Sequence, residues 1–392
     1  MQQKPQSERV HIAFFGRCNS GKSSLINALT GQNIAVVSAQ SGTTTDSVSK
    51  SMELPGVGAC VLIDTPGFDD ETLLGEQRIA QTIKVVDRAD VAVLLLMEQV
   101  TDEDKRWYKE LKNRDIPIIL LLAQVDKLSD RNTAVTNISS KLSVNPIPVS
   151  SVTGEGLSDF HAALLKAVQR EERTILQDMV NAGDTVLLVM PQDASAPKGR
   201  LIQPQVQTIR ELLDRQCTVI SCTTEGLSAA LASLAMPPKL IITDSQVFEA
   251  VYKLKPESSR LTSFSVLFAR YKGDIATFVE GAKVLSHLTQ EARVLIAEAC
   301  THIPQNEDIG RVKLPALLRR KIGASLHIDV VSGNEFPQDL TGYDLIIHCG
   351  ACMFNSRHVL NRIARARMQA VPITNYGIAI AALTGILDRI EY

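Results

Sequence analysis

Two groups of residues in this chain have the types and spacing that chemistry requires. The first is Gly16-Arg-Cys-Asn-Ser-Gly21-Lys22-Ser23, which fits the pattern G-x-x-x-x-G-K-[ST]. Its glycines let backbone N–H groups turn inward around phosphate oxygens at the start of a helix. In such a loop Lys22 reaches the outer phosphates and the Ser23 hydroxyl binds Mg2+, with Asn19, Ser20 and Ser24 completing the cradle. The second group is Cys300-Thr-His302 and His348-Cys349-Gly-Ala-Cys352. C-x-x-C is short enough for two thiolates to share one metal centre, and Cys300 offers a third. Three cysteines with one histidine make a closed zinc set. They suit an iron–sulfur cluster equally well, with one iron left to a weaker ligand. Local spacing does not separate the two metals.

Further residues lie where a nucleotide site needs them. Asp64-Thr-Pro-Gly67 follows an apolar run, so Asp64 can hold Mg2+ through water and the Gly67 N–H can meet a γ-phosphate. Between the two motifs, Ser41-Gly-Thr-Thr-Thr-Asp46 reads as a switch loop. Thr44 is the candidate for a second hydroxyl on Mg2+, with Thr43 close behind. Base recognition calls for N-K-x-D, but the chain reads Ala123-Gln124-Val125-Asp126. Asp126 keeps the carboxylate that accepts guanine N1–H and N2–H. Ala123 cannot supply the usual amide contact, and Gln124 replaces a lysine that packs over the nucleotide. Ser150-Ser151-Val152 fills the place of the S-A-x loop. Guanine is the expected base, and the chain reads as a GTPase.

These residues resemble the translation-factor-related branch of GTPases that includes the tRNA-modification and Era-like proteins. The resemblance implies that Asn19 helps hold an activating K+. Phe68 stands where a Ras-type enzyme has its water-positioning glutamine, so slow, K+-stimulated hydrolysis is the expectation.

The elements that must position these groups follow from periodicity. Strands are expected at Val10–Phe15, Ala59–Ile63, Val91–Leu96, Ile116–Leu122 and Pro146–Val149, alternating with amphipathic stretches. That alternation predicts a doubly wound, mostly parallel α/β sheet, a P-loop GTPase domain over residues 1–172. The charged run Gln169–Asp178 reads as a solvated connecting helix. A smaller α/β domain over 173–260 follows, with strands Thr185–Met190, Cys217–Ser221 and Lys239–Thr243 and helices Gln205–Arg215 and Gly226–Leu234. A third α/β domain over 261–392 carries strands Arg293–Ala299, Ser325–Val331, Tyr343–Ile347 and Ala370–Thr374. Its helices are expected at Lys313–Lys321, Ser356–Met368 and Gly377–Ile390. Both cysteine segments then follow strands of one parallel sheet and share an edge. The helix from Ser356 would favour thiolates through its dipole. No internal repeat is evident.

Composition narrows the remaining classes. The 392 residues are 45% hydrophobic and 21% charged with a net charge of −2, a globular balance offering no electrostatic case for nucleic acid or an anionic membrane. The apolar stretch Ile378–Leu387 is too short to span a bilayer, and polar Met1–Arg9 does not read as a secretory signal. Seven cysteines, an odd number, argue against a disulfide framework. A cytoplasmic protein is the expectation. Cys18, Cys60, Cys217 and Cys222 read as packing residues, and His11, His161, His287, His327 and His358 as ordinary histidines.

A GTPase domain joined to C-x-H…H-C-x-x-C resembles, over essentially the whole chain, the HydF family, the GTPase scaffolds of FeFe-hydrogenase maturation. The resemblance implies a 4Fe–4S cluster on Cys300, Cys349 and Cys352 with an exchangeable fourth position, for which His302, His348 and Glu307 are the candidates. It also implies a homodimer through the middle domain. As partners it implies two radical-SAM maturases that supply a di-iron precursor, and an apo FeFe-hydrogenase that receives it. The alternative is an RNA- or ribosome-associated GTPase with a structural zinc, against which the charge balance and the 4% aromatic content speak.

Overall fold

The computed structural model describes residues 6–31, 48–68, 82–168, 173–191, 201–299, 308–333 and 335–392. The chain forms two compact units, 1–171 and 172–392.

In the first unit, β1 (Val10–Gly16) is apolar on both faces and therefore runs through the middle of its sheet. The other strands are β2 (Val48–Leu54), β3 (Gly58–Asp64), β4 (Val91–Leu96), β5 (Ile118–Leu122) and β6 (Ile147–Pro148). Their order is β2-β3-β1-β4-β5-β6, with only the β2–β3 pair antiparallel. Ile12, Phe14, Cys60 and Leu62 face one layer with Phe160, whereas Ala13, Phe15, Val61 and Ile63 face the other with Trp107. β2 was not expected, because its sequence Val-Ser-Lys-Ser-Met-Glu-Leu is largely polar. It is an edge strand and largely exposed. β5 starts after Pro117, which has no N–H for the ladder although its carbonyl accepts from Ala92.

The second unit holds two all-parallel sheets. One contains β7 (Thr185–Val189), β8 (Thr218–Cys222), β9 (Leu240–Thr243) and β10 (Arg260–Ser263) in the order β10-β9-β7-β8. The other contains β11 (Arg293–Ala297), β12 (His327–Val331), β13 (Leu345–His348) and β14 (Ile373–Asn375) in the order β12-β11-β13-β14. Counted from its own first strand, each sheet runs second, first, third, fourth. The topology is thus repeated although the sequence carries no visible repeat. The two sheets also share a core, since Leu187, Val189 and Ile241 lie in one apolar cluster with Val294, Ile296 and Ile347.

Three expectations change. The division at 260/261 cuts β10, which pairs with β9, so the first α/β series of this unit continues through helix Phe264–Lys272. Residues 173–178 form no helix; Ile175 and Leu176 are buried, and the Glu211 carboxylate accepts both of their N–H groups at 2.6 and 3.0 Å. The last helix spans only Tyr376–Leu383, because Gly385 turns the chain at φ 75°.

Candidate functional site

The phosphate cradle is built between β1 and helix Lys22–Thr30. A Cβ on Gly16 would meet Ser20 Oγ at 2.7 Å and the Leu95 carbonyl at 2.8 Å, so only glycine lets the loop leave the sheet here. Asn19 and Gly21 hold left-handed backbone, at φ 58° and 93°, which folds the loop back over the helix N-terminus. The Lys22 ammonium is buried and donates to the Gly16 and Arg17 carbonyls, both at 2.9 Å. Ser20 is fully buried, and Ser24 is half-buried in the first helical turn.

Ser23 and Asp64 meet as the sequence requires. Ser23 Oγ donates to Asp64 Oδ2 at 2.5 Å, while Asp64 Oδ1 is buried with no hydrogen-bond partner. Burial raises the Asp64 pKa, against the pull of the Ser23 hydrogen bond and of Lys22. A buried carboxylate oxygen beside a hydroxyl is the donor set of a hard divalent cation, so these residues fit Mg2+. The following residues are locked in place. Thr65 donates to the Phe14 carbonyl at 2.6 Å. A Cβ on Gly67 would lie 2.3 Å from Cys18 Sγ. Phe68 stacks on Trp107 with centroids 5.5 Å apart, so this position packs the core instead of orienting water. Thr44 lies outside the described residues.

The base-recognition loops converge on the cradle. Ser150, fully buried, donates to Asp126 Oδ1 at 2.6 Å and accepts the N–H groups of Val152 and Thr153. Asp126 itself is exposed, with Ser151 half-buried nearby in sequence. Ala123 is buried in the core, which explains a small residue there. Gln124, in left-handed conformation at φ 57°, donates from Nε2 to the Asn19 carbonyl at 2.6 Å and accepts from Lys127 at 2.9 Å. The departure from the usual lysine thus keeps a tie between base loop and phosphate loop.

The cysteine loop lies at the carboxyl edge of the last sheet. β11 and β13 are neighbours, with Ala297 opposite His348. Cys349 Sγ accepts the N–H groups of Ala299 and Ala351 at 3.0 and 3.4 Å. The backbone of Ala299, one residue before Cys300, therefore touches the Cys349 sulfur. Burial pushes the Cys349 thiol up to about 11, so binding metal means displacing its proton. Cys352 is half-buried beyond Ala351, whose φ of 50° is left-handed. Among the described residues, no three His, Cys, Asp or Glu side chains converge as a metal site; Cys300, His302 and Glu307 lie outside them.

His348 is occupied at both ring nitrogens in this arrangement. It is fully buried, Arg362 donates to its Nε2 at 3.0 Å, and its Nδ1 therefore carries the proton given to the Cys349 carbonyl at 2.8 Å. Burial, and then the Arg362 charge, lower its pKa to about 3. Both ring nitrogens are committed to holding the loop.

Residues 175–273 match the family described as Hydrogen maturase F dimerization domain, and residues 276–391 match the Hydrogen maturase F tetramerization domain. Together these matches span more than half of the chain. This chain belongs to the hydrogen maturase F family. Residues 11–124 match the family described as 50S ribosome-binding GTPase, and the first unit is a P-loop GTPase domain. The tRNA modification GTPase MnmE of Nitrosomonas europaea is 34% identical over 162 residues, covering 41% of this chain and 35% of that protein. GTPase Der of Thermosynechococcus vestitus is 30% identical over 192 residues, covering 45% and 42%. The chain thus spans less than half the length of the curated relatives it matches. The crystal structure of Aquifex aeolicus Era bound to GDP.AlF4− is 17% identical with a TM-score of 0.38, covering 64% of this chain and 98% of that one.

Two groups around the cysteine loop belong to no sequence motif. Lys272 is 2% exposed and donates to the Ala351, Cys352 and Phe354 carbonyls. Arg362, 4% exposed, lies between the Phe336 and Phe354 rings at 4.8 and 4.9 Å. The signal for Lys272 was present: a lysine continuing the 264, 268, 272 apolar face of its helix. Arg362 lies in a basic, amphipathic helix and gives no such sign. Among the described residues no helix is long and apolar enough to cross a membrane.

Proposed function

We propose that this chain is a GTP-hydrolysing scaffold that binds a 4Fe–4S cluster through Cys300, Cys349 and Cys352. Its cargo is a di-iron precursor, received from radical-SAM maturases and delivered to an apo FeFe-hydrogenase, and its working form is a homodimer through the middle domain. The observation that carries the reading is the 3.0 Å contact from the Ala299 N–H to Cys349 Sγ. It brings the chain entering Cys300 against the C-x-x-C loop, and the donors around that sulfur are those that stabilise a thiolate. With His348 committed to the loop, His302 and Glu307 remain the candidates for the exchangeable fourth position. When bound, the cluster supplies an iron at which the precursor can be held and released. GTP and Mg2+ bind at Lys22, Ser23 and Asp64, and K+ at Asn19 offsets the charge that develops during hydrolysis.

Anaerobic reconstitution of single alanine variants tests the reading. Cys300→Ala, Cys349→Ala and Cys352→Ala should each lose the iron and sulfide and the brown absorption near 400 nm, whereas His302→Ala and Glu307→Ala should retain them. A colourless protein that binds zinc in place of iron would sink the scaffold and favour a structural metal.

A further inference from the structure

Lys272 ends helix Phe264–Lys272, on the face that also carries Phe264 and Phe268, both buried. Taking an ammonium out of water is costly unless its protons find acceptors. Here Nζ donates to Phe354 O at 2.7 Å, Ala351 O at 3.0 Å and Cys352 O at 3.4 Å, with the Phe268 ring 5.7 Å away. All three carbonyls belong to the turn that joins the C-x-x-C loop to helix Ser356–Met368. The same turn contains Ala351 at φ 50°, a conformation disfavoured for a residue with a Cβ. Such backbone persists only where surrounding contacts over-determine it. The ammonium fixes the carbonyl of that very residue, and Asn375 Nδ2 fixes the Cys349 carbonyl at 3.2 Å.

We propose that Lys272 is a positioning residue for the cysteine loop: it holds Cys349 and Cys352 at a set separation and places a buried positive charge behind them. Only the second half rests on the cluster reading. The helix that carries Lys272 starts at the Ser263 cap, where Ser263 Oγ accepts from Val266 N, and lies within the dimerization-domain match. The loop lies within the tetramerization-domain match. One segment therefore shapes the thiol site of the other.

The test begins on the metal-free full-length protein, by the rate of iodoacetamide alkylation at Cys349 and Cys352 read by peptide mass spectrometry. Compared per thiolate, from the pH dependence of the rate, Lys272→Met should raise the Cys352 rate roughly tenfold, the factor set by losing hydrogen bonds to a charged group. Lys272→Arg, which keeps the charge and donors, should restore most of the protection. Equal rates in wild type and a natively folded Lys272→Met would overturn the positioning role. Should Lys272→Met not fold, amide exchange of Ala351–Phe354 in the wild type decides. Protection as strong as in helix Phe264–Lys272 supports the role, and rapid exchange overturns it. After reconstitution, Lys272→Met should lower the cluster's midpoint potential while Lys272→Arg keeps it. An unchanged potential, or a wild type that takes up no iron, removes the charge-placing half and leaves the thiol result standing.

Discussion

Asp126 is the one carboxylate in the base-recognition loop, and Ser150 already orients it through a 2.6 Å hydrogen bond. Losing a charged acceptor costs about 1.5–3 kcal/mol, so Asp126→Asn should narrow the preference for GTP over ATP by roughly ten- to a hundredfold. Competition binding checks this, and equal affinity for ATP in the wild type would remove guanine selectivity altogether. The neighbouring Gln124 is a substitution whose purpose emerges only in three dimensions. A glutamine in place of lysine reads as a loss, yet its amide bridges to the Asn19 carbonyl. His348 teaches the reverse. Its place beside Cys349 makes it a ligand candidate, but Arg362 occupies its Nε2 and the Cys349 carbonyl its Nδ1.

At the scale of elements, two close approaches carry predictions. A Cβ on Gly67 would sit 2.3 Å from Cys18 Sγ and 2.7 Å from Cys18 N. Gly67→Ala should therefore displace the phosphate loop and weaken binding of a fluorescent GTP analogue. Adding Cys18→Ala should not rescue it, because the backbone clash remains; full rescue would show that the sulfur alone is the obstacle. In the second unit, helix Ile275–Lys283 lies so close to β14 that a Cβ on Gly281 would stand 2.1 Å from the Ile373 carbonyl. Helix propensity favours alanine over glycine by about 1 kcal/mol, but overpacking costs about 1–3 kcal/mol and must move backbone here. Gly281→Ala should lower the melting temperature by a few degrees. A rise in Tm would mean that the helix stands off the strand.

At the scale of the molecule, the nucleotide residues fall in unit 1–171 and the cysteine loop in unit 172–392. On the proposed reading, all the cluster ligands belong to the second unit. Lys22→Ala should abolish GTP hydrolysis, as measured by phosphate release, and leave iron uptake on anaerobic reconstitution at the wild-type level. Loss of cluster in a well-folded Lys22→Ala protein would show that assembly draws on the nucleotide site. The second unit behaves differently from its reading as two separate small domains. Its sheets share apolar residues and Lys272 crosses from one series to the other, so destabilising either sheet should affect both.

The phosphate loop, Asp64-Thr-Pro-Gly67, Asp126 and the main parallel strands were legible in the sequence because each depends on local order. A glycine pattern at a strand–helix junction or a continuous apolar run specifies its conformation within a few residues. The polar edge strand β2, the repeated topology of the last two sheets and the shared core between them left no such local trace. They are settled by which surfaces close on one another. The same holds for Lys272 and Arg362: a single buried cation is decided by the carbonyls and rings that tertiary packing gathers around it, across about eighty residues of chain for Lys272 and Ala351.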